Sequence, residues 1–236
     1  MDYTNYKTVN ATTTKYDEGL RSYMLSIYNY MALALALTGT IAFFAANSPA
    51  IMQIVTSPMG WIIMLAPIGI AFAFGAKIGT MSVQTAQILY WVYAGLLGLS
   101  LAPIFIIYTG ESIARVFFIT ASLFGAMSLY GYTTKRDLSG FGHFLMMGMF
   151  GLIIASLVNI FLKSSGMQFA ISVVGVLIFT GLTAYDTQNL KRMYYQLANG
   201  DQAMAVKLSI LGALKLYMDF LNLFLFLLRF MGDRRN

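Results

Sequence analysis

Four ionisable side chains, Asp186, Asp219, Lys77 and Lys215, fall where a membrane-crossing helix would have to bury them. Asp219 lies halfway along KLSILGALKLYMDFLNLFLFLLRF, Lys207 to Phe230, a run that is otherwise almost wholly apolar. At ~1.5 Å per helical residue the run extends about 36 Å, enough to cross a bilayer, and carries Asp219 about 18 Å in. A carboxyl at that depth costs several kcal/mol unless it is protonated, paired or wet, so it marks a functional position. Lys215 precedes Asp219 by four residues and shares its helical face. Asp186, in FTGLTAYDTQNL, reads as about one turn inside the end of the preceding apolar run, shallower than Asp219, and Lys77, in AFGAKIG, ends the second run. If the last two runs are neighbours, the two carboxyls come within hydrogen-bonding distance. They cannot then both ionise cheaply, so one proton is shared near neutral pH. Lys77 or Lys215 would compete with that proton, as would a hard cation such as calcium with its demand for oxygen ligands. The plainer alternatives are Asp186 pairing with Lys191 or Arg192 and Asp219 neutralised by Lys215. Arg229 reads as an interface anchor or a pore residue.

The elements that must position these groups follow from composition. Of 236 residues, 58% are hydrophobic and 10% charged, and the mean hydropathy is +0.71. A soluble domain of this length is less apolar. The apolar runs are continuous and about 20 residues long, which selects helices over the short alternating strands of a membrane barrel. Seven segments emerge: Met24 to Ala46, Met59 to Ile78, Gln84 to Tyr108, Ile113 to Tyr132, Phe141 to Leu162, Gln168 to Leu190 and Lys207 to Phe230. The expected protein is an all-α membrane bundle of seven transmembrane helices with the seventh central. Residues 1–23 form a polar N-terminal tail without signal-peptide features, 24–230 the membrane domain, and 231–236 a short C-terminal tail.

Loop lysines and arginines place the N-terminus in the cytoplasm, with Lys77, Lys135, Arg136, Lys191, Arg192 and Lys207 on the same side. Arg229, Arg234 and Arg235 then lie on the less basic side, so seven full crossings compete with a last segment that dips in and returns. The net charge of +6 suits loops facing anionic lipid, and no basic stretch supports nucleic-acid binding. The absence of cysteine excludes disulfides, thiol catalysis and thiolate metal sites. Trp61, Tyr194 and Tyr195 suit the aromatic belt, the methionines and the Gly75/Gly79 pair suit helix packing, and His143 reads as an interfacial cap or a proton sensor.

Three stretches also carry a resemblance: LAPIFIIYTGESIARVFFITASLFGAMSLYGYTTKRDLSG (Leu101 to Gly140), LTAYDTQ (Leu182 to Gln188) and LYMDFLNLFLFLLRF (Leu216 to Phe230). In this order they resemble the bacterial branch of the Bax inhibitor-1 family, from the first helix onward. The resemblance implies a seven-helix protein of the bacterial inner membrane that forms a pH-sensitive cation leak, chiefly for calcium. It maps the family's proton-sensing aspartates onto Asp186 and Asp219. The family's arginine latch falls on or near Lys77, a lysine without the planar fork that clamps two carboxylates, and Lys215 is the second candidate. Met59 to Ala76 holds no acid, whereas family members often carry a glutamate there. Protons and calcium are the implied ions, and no cofactor is.

Three other readings compete with a cation leak. A membrane-embedded regulator binding a membrane protease or other membrane proteins is the alternative function. An intramembrane aspartyl protease would need a glycine-flanked second aspartate, where Tyr217 and Met218 stand instead, and a retinal protein would need an acidic counterion in the third helix. Neither is favoured, and the chain reads as a non-enzyme.

Overall fold

A computed structural model of the chain describes residues 3–197 and 202–235, with side chains over 18–196 and 203–235. Apolar surroundings offer the backbone no water, so each run satisfies its own N–H and C=O groups as a helix. The described residues form α1 (Tyr3–Ala46), α2 (Pro49–Val55), α3 (Gly60–Lys77), α4 (Val83–Leu101), α5 (Ile104–Ile107), α6 (Gly110–Thr133), α7 (Ser139–Leu162), α8 (Ser165–Leu197) and α9 (Gln202–Met231). Seven spans are long and apolar enough to cross a membrane: α1, α3, α4 with α5, and α6 to α9.

Local chemistry sets the boundaries. Ser82 caps α4 by accepting the Thr85 N–H at 3.1 Å, and Thr109 caps α6 by accepting that of Ser112 at 3.2 Å. Pro103 divides the third segment into α4 and α5, because it lacks the N–H that would continue the ladder. Three expectations change. The polar stretch before Met24 is helical from Tyr3, in one helix with the first span. A short α2, opened by Pro49, fills the first loop. The sixth helix does not end at Leu190 but continues to Leu197, so Tyr194 and Tyr195 belong to it, and the Tyr194 ring packs 5.3 Å from that of Tyr23.

α9 is the centre of the bundle: 67% of its apolar window is buried, against 11% for α7. It packs on α8, α1, α6 and α4, whereas α7 rests on α8 and α3 on α4. Ile27, Tyr90, Leu216, Tyr217 and Leu223 are fully enclosed around it. Among the described residues Gly75 and Gly79 meet no neighbour where a Cβ would lie, so the expected close helix contact is not made by these residues.

The two ends of α9 are tied to opposite ends of the bundle. Near its start, Lys207 Nζ donates to the carbonyls of Gly79 and Met81 at 3.0 and 3.2 Å, in the α3–α4 turn. Beyond its finish, the Asp233 carbonyl accepts the Thr109 N–H at 3.1 Å and the Arg235 N–H donates to the Ile107 carbonyl at 2.9 Å. Tyr108 and Arg234 form an antiparallel β-bridge there. The last helix therefore crosses fully and does not turn back.

Gly131 fixes the approach of α6 to α8, since a Cβ there would stand 2.2 Å from the Ala184 carbonyl oxygen. Gly131→Ala is expected to destabilise the protein by about 1–3 kcal/mol, while Gly125→Ala, on the same helix with nothing within 4 Å, is neutral or slightly stabilising. Thermal unfolding in detergent compares the two.

Candidate functional site

The α8–α9 contact brings Asp186, Asp219 and Lys215 together. Lys215 Nζ donates to Asp186 Oδ1 at 2.6 Å, and both aspartates are only 5% exposed. The Asp219 carboxyl lies in the field of both the Asp186 carboxyl and the Lys215 ammonium. Its Oδ2 is buried and takes a hydrogen bond from no donor. Two ionised carboxyls cannot donate to each other, so the contact becomes a hydrogen bond only when one of them carries a proton. Two carboxylates, one shared proton and one ammonium sum to zero charge, the arrangement least costly to bury. The Lys215 ammonium also sits 5.9 Å from the Tyr185 ring centroid.

Small residues and hydroxyls hold this trio in place. Besides Gly131 under Ala184, Gly142 makes room for the Tyr185 ring, which a Cβ there would meet at 2.3 Å. One residue past Asp186, the Thr187 hydroxyl is 2.9 Å from that of Ser128, which is 2.5 Å from Tyr28 Oη. Two residues before Asp219, Tyr217 Oη is 2.6 Å from the Thr38 hydroxyl, which donates to the Ala94 carbonyl at 2.9 Å. Thus α8 is fastened to α6 and α1, and α9 to α1 and α4, at the level of the carboxyls.

The remaining candidates lie elsewhere. Lys77 ends α3, exposed and without an ion pair among the described residues. Its helix packs on α4 and α2, not on α8 or α9, so the ammonium at the pair is that of Lys215. Arg229 is exposed at the far end of α9, 5.9 Å from the Phe226 ring, and does not reach the pair. Asp186 lies 11 residues before the end of α8, whose last residues form the polar stretch KRMYYQL. The cations proposed as its structural partners are engaged otherwise. Lys191 Nζ donates to the Tyr132 carbonyl at 3.0 Å, and Arg192 binds Asp137, Ser139 and Gln188. His143 is exposed and bonds through Nδ1 to the Ser139 carbonyl at 2.6 Å, as an interfacial cap would.

Calcium takes six to eight oxygens. Among the described residues no three histidine or acidic side chains converge, and at the pair an ammonium holds one of the carboxyl oxygens. In this conformation the group that meets Asp186 is the Lys215 ammonium.

Gln188 is the residue that sequence reading missed. Its Oε1 accepts the Leu138 N–H at 2.9 Å and Arg192 at 2.7 Å, and its Nε2 donates to the Arg136 carbonyl at 2.7 Å. It stitches the α6–α7 loop to α8 two residues from Asp186; the available signal was an amide inside the LTAYDTQ stretch. Asp137, in that loop, is held down to about 2, first by the Ser139 backbone N–H and then by the Arg192 guanidinium. A carboxyl lowered on folding contributes stability that is present above its unfolded value near 4 and lost as pH falls through about 2.

This geometry defines a seven-span helical membrane protein with a buried carboxyl pair and a lysine counter-ion in its centre. The family described as "Inhibitor of apoptosis-promoting Bax1" matches residues 20–236. The chain belongs to that Bax inhibitor-1 family. It is similar to an uncharacterized protein of Rickettsia prowazekii, 55% identical over 237 residues and 100% of both chains. It is 48% identical to the inner membrane protein YbhL of Escherichia coli over 219 residues, 92% of this chain and 94% of that one. An uncharacterized protein of Caulobacter vibrioides is 46% identical over 229 residues, 93% of this chain and 91% of that one. With its seven spans, the protein is an integral protein of the inner membrane.

A double-mutant cycle of Lys215→Met with Asp186→Asn, read by thermal unfolding in detergent, should return a coupling of about 0.5–3 kcal/mol, while Lys77→Met with Asp186→Asn adds to within about 0.5 kcal/mol. Asp137→Asn should lower stability by the same amount at pH 5 and pH 8, because the carboxyl is ionised in both folded and unfolded chains over that window. A loss that differed between the two pH values would show that Asp137 titrates there.

Proposed function

We propose that the protein is a pH-sensitive cation leak, calcium being the transported ion, in which Asp186 and Asp219 sense protons and Lys215 is the counter-ion that latches them. The observation that carries this reading is the Lys215–Asp186 ion pair, with its carboxyl buried and its lysine side chain 38% exposed, beside the undonated Asp219 carboxyl. Adding or removing a single proton takes the trio from neutral to a net unit charge at two buried carboxyls, where such a change is costly. A second proton on the pair leaves Lys215 without an anion; loss of the shared one frees carboxylate oxygens for a hard cation. Either step alters what holds α8 to α9. Membership of the Bax inhibitor-1 family supports the assignment to cation movement.

Catalysis is not part of the proposal. An aspartyl protease holds a water between its two carboxyls, and here the Lys215 ammonium engages one of them at 2.6 Å.

Vesicles carrying the purified protein and a calcium dye test the reading. Wild-type flux should pass through a pH step, and Asp186→Asn with Asp219→Asn should make flux independent of pH. Lys215→Met should shift the step, and Lys77→Met should leave it in place. If flux and its pH dependence persist in the double aspartate variant, the carboxyl pair is not the sensor.

A further inference from the structure

At the opposite end of the bundle from Lys207 lies a cavity of about 850 Å³ among α5, the end of α7, the start of α8 and the end of α9. Three cations line it, Lys163, Arg229 and Arg234, and no carboxylate side chain does. None of the three is in an ion pair among the described residues; the one acid nearby in sequence, Asp233, is bound by Arg115 at 2.8 Å. Like charges gathered around one space repel each other, and an anion in that space removes the repulsion.

The chain also holds these cations in place. Lys163 has φ 49°, the only positive φ among the described non-glycine residues. A helix usually ends in that left-handed conformation with glycine or asparagine, yet here it carries a lysine into the cavity lining. Asn159 secures the turn, its carbonyl accepting the Lys163 N–H at 2.8 Å and its Oδ1 accepting the Ser164 N–H at 3.1 Å. Arg234 is fixed by its β-bridge to Tyr108.

The same lining includes the apolar side chains of Ile160, Ile171, Leu225 and Leu228. It adjoins exposed apolar surface, where Ile160 is 63% and its neighbour Phe161 85% exposed. Cations and exposed apolar side chains together at the level of helix ends match a phospholipid, with its phosphate for the former and its acyl chains for the latter. We infer that this cavity binds an anionic phospholipid of the leaflet at that end, its phosphate held by Lys163, Arg229 and Arg234 and its first acyl carbons laid against Ile160 and Leu225. This also accounts for basic residues at the less basic end of the protein: the lipid neutralises them.

Full-length protein in neutral detergent is titrated with phosphatidylglycerol, phosphatidylcholine or inorganic phosphate, and followed by native mass spectrometry and thermal unfolding. Phosphatidylglycerol should bind and raise the melting temperature, and the other two should not. Each of Lys163→Gln, Arg229→Gln and Arg234→Gln should weaken phosphatidylglycerol binding about fivefold, and Lys135→Gln, at the other end, should leave it unchanged. Lys163→Gly separates binding from folding: it relieves the left-handed backbone, so the protein should melt no lower while phosphatidylglycerol binding still falls. Equal binding of phosphatidylcholine, or undiminished phosphatidylglycerol binding by the triple Gln variant, would overturn the inference. Stabilisation by inorganic phosphate alone would replace the lipid with a free anion.

Discussion

Charge neutrality in a dry interior is the constraint on which this fold depends. Asp186 and Asp219 are enclosed by apolar helices, and a bilayer supplies no water to screen them. The Lys215 ammonium offsets one of the two charges by pairing with Asp186. That solution requires α8 and α9 to meet face to face, which puts α9 in the middle of the bundle, and it requires Lys215 to reach across to Asp186 and not to its own-helix neighbour Asp219. The hydroxyl contacts of Thr187 with Ser128 and of Tyr217 with Thr38 then set the height of each helix, so that the carboxyls lie level.

Much of this was legible in the sequence, for a physical reason. Hydrophobic runs bounded by NSP, TGES and KSSG had to become spans, and a carboxyl in the middle of the last run had to find a partner. The choice between Lys77 and Lys215 was not legible. Spacing of four residues establishes only that Lys215 and Asp219 share a face; which carboxyl the ammonium engages depends on how α9 is rotated against α8, a tertiary quantity. The end of α8 was not legible either: the apolar run stops at Leu190, but the helix does not. The residues after Leu190, KRMYYQL, are polar but good enough helix formers to continue it, since leaving an apolar run and leaving a helix are different events.

The two ends of the molecule use their polar residues differently. At the end that holds the α6–α7 loop, Gln188 and Arg192 bind backbone carbonyls, Ser139 and Asp137, so that cations and amides are consumed internally. At the other end the residues after Met231 fold onto the α5–α6 corner, and Lys163, Arg229 and Arg234 face a cavity that no carboxylate side chain lines among the described residues. A positive-inside count sees only how many basic residues each side has. It does not see which are already satisfied by the protein.

The missing side chain at Gly131 gives the bundle a mechanical asymmetry. With the backbone of α6 pressed against the Ala184 carbonyl, two residues before Asp186, α8 has no clearance to turn about its own axis. In that direction α6 and α8 can move only together, as one unit against α9.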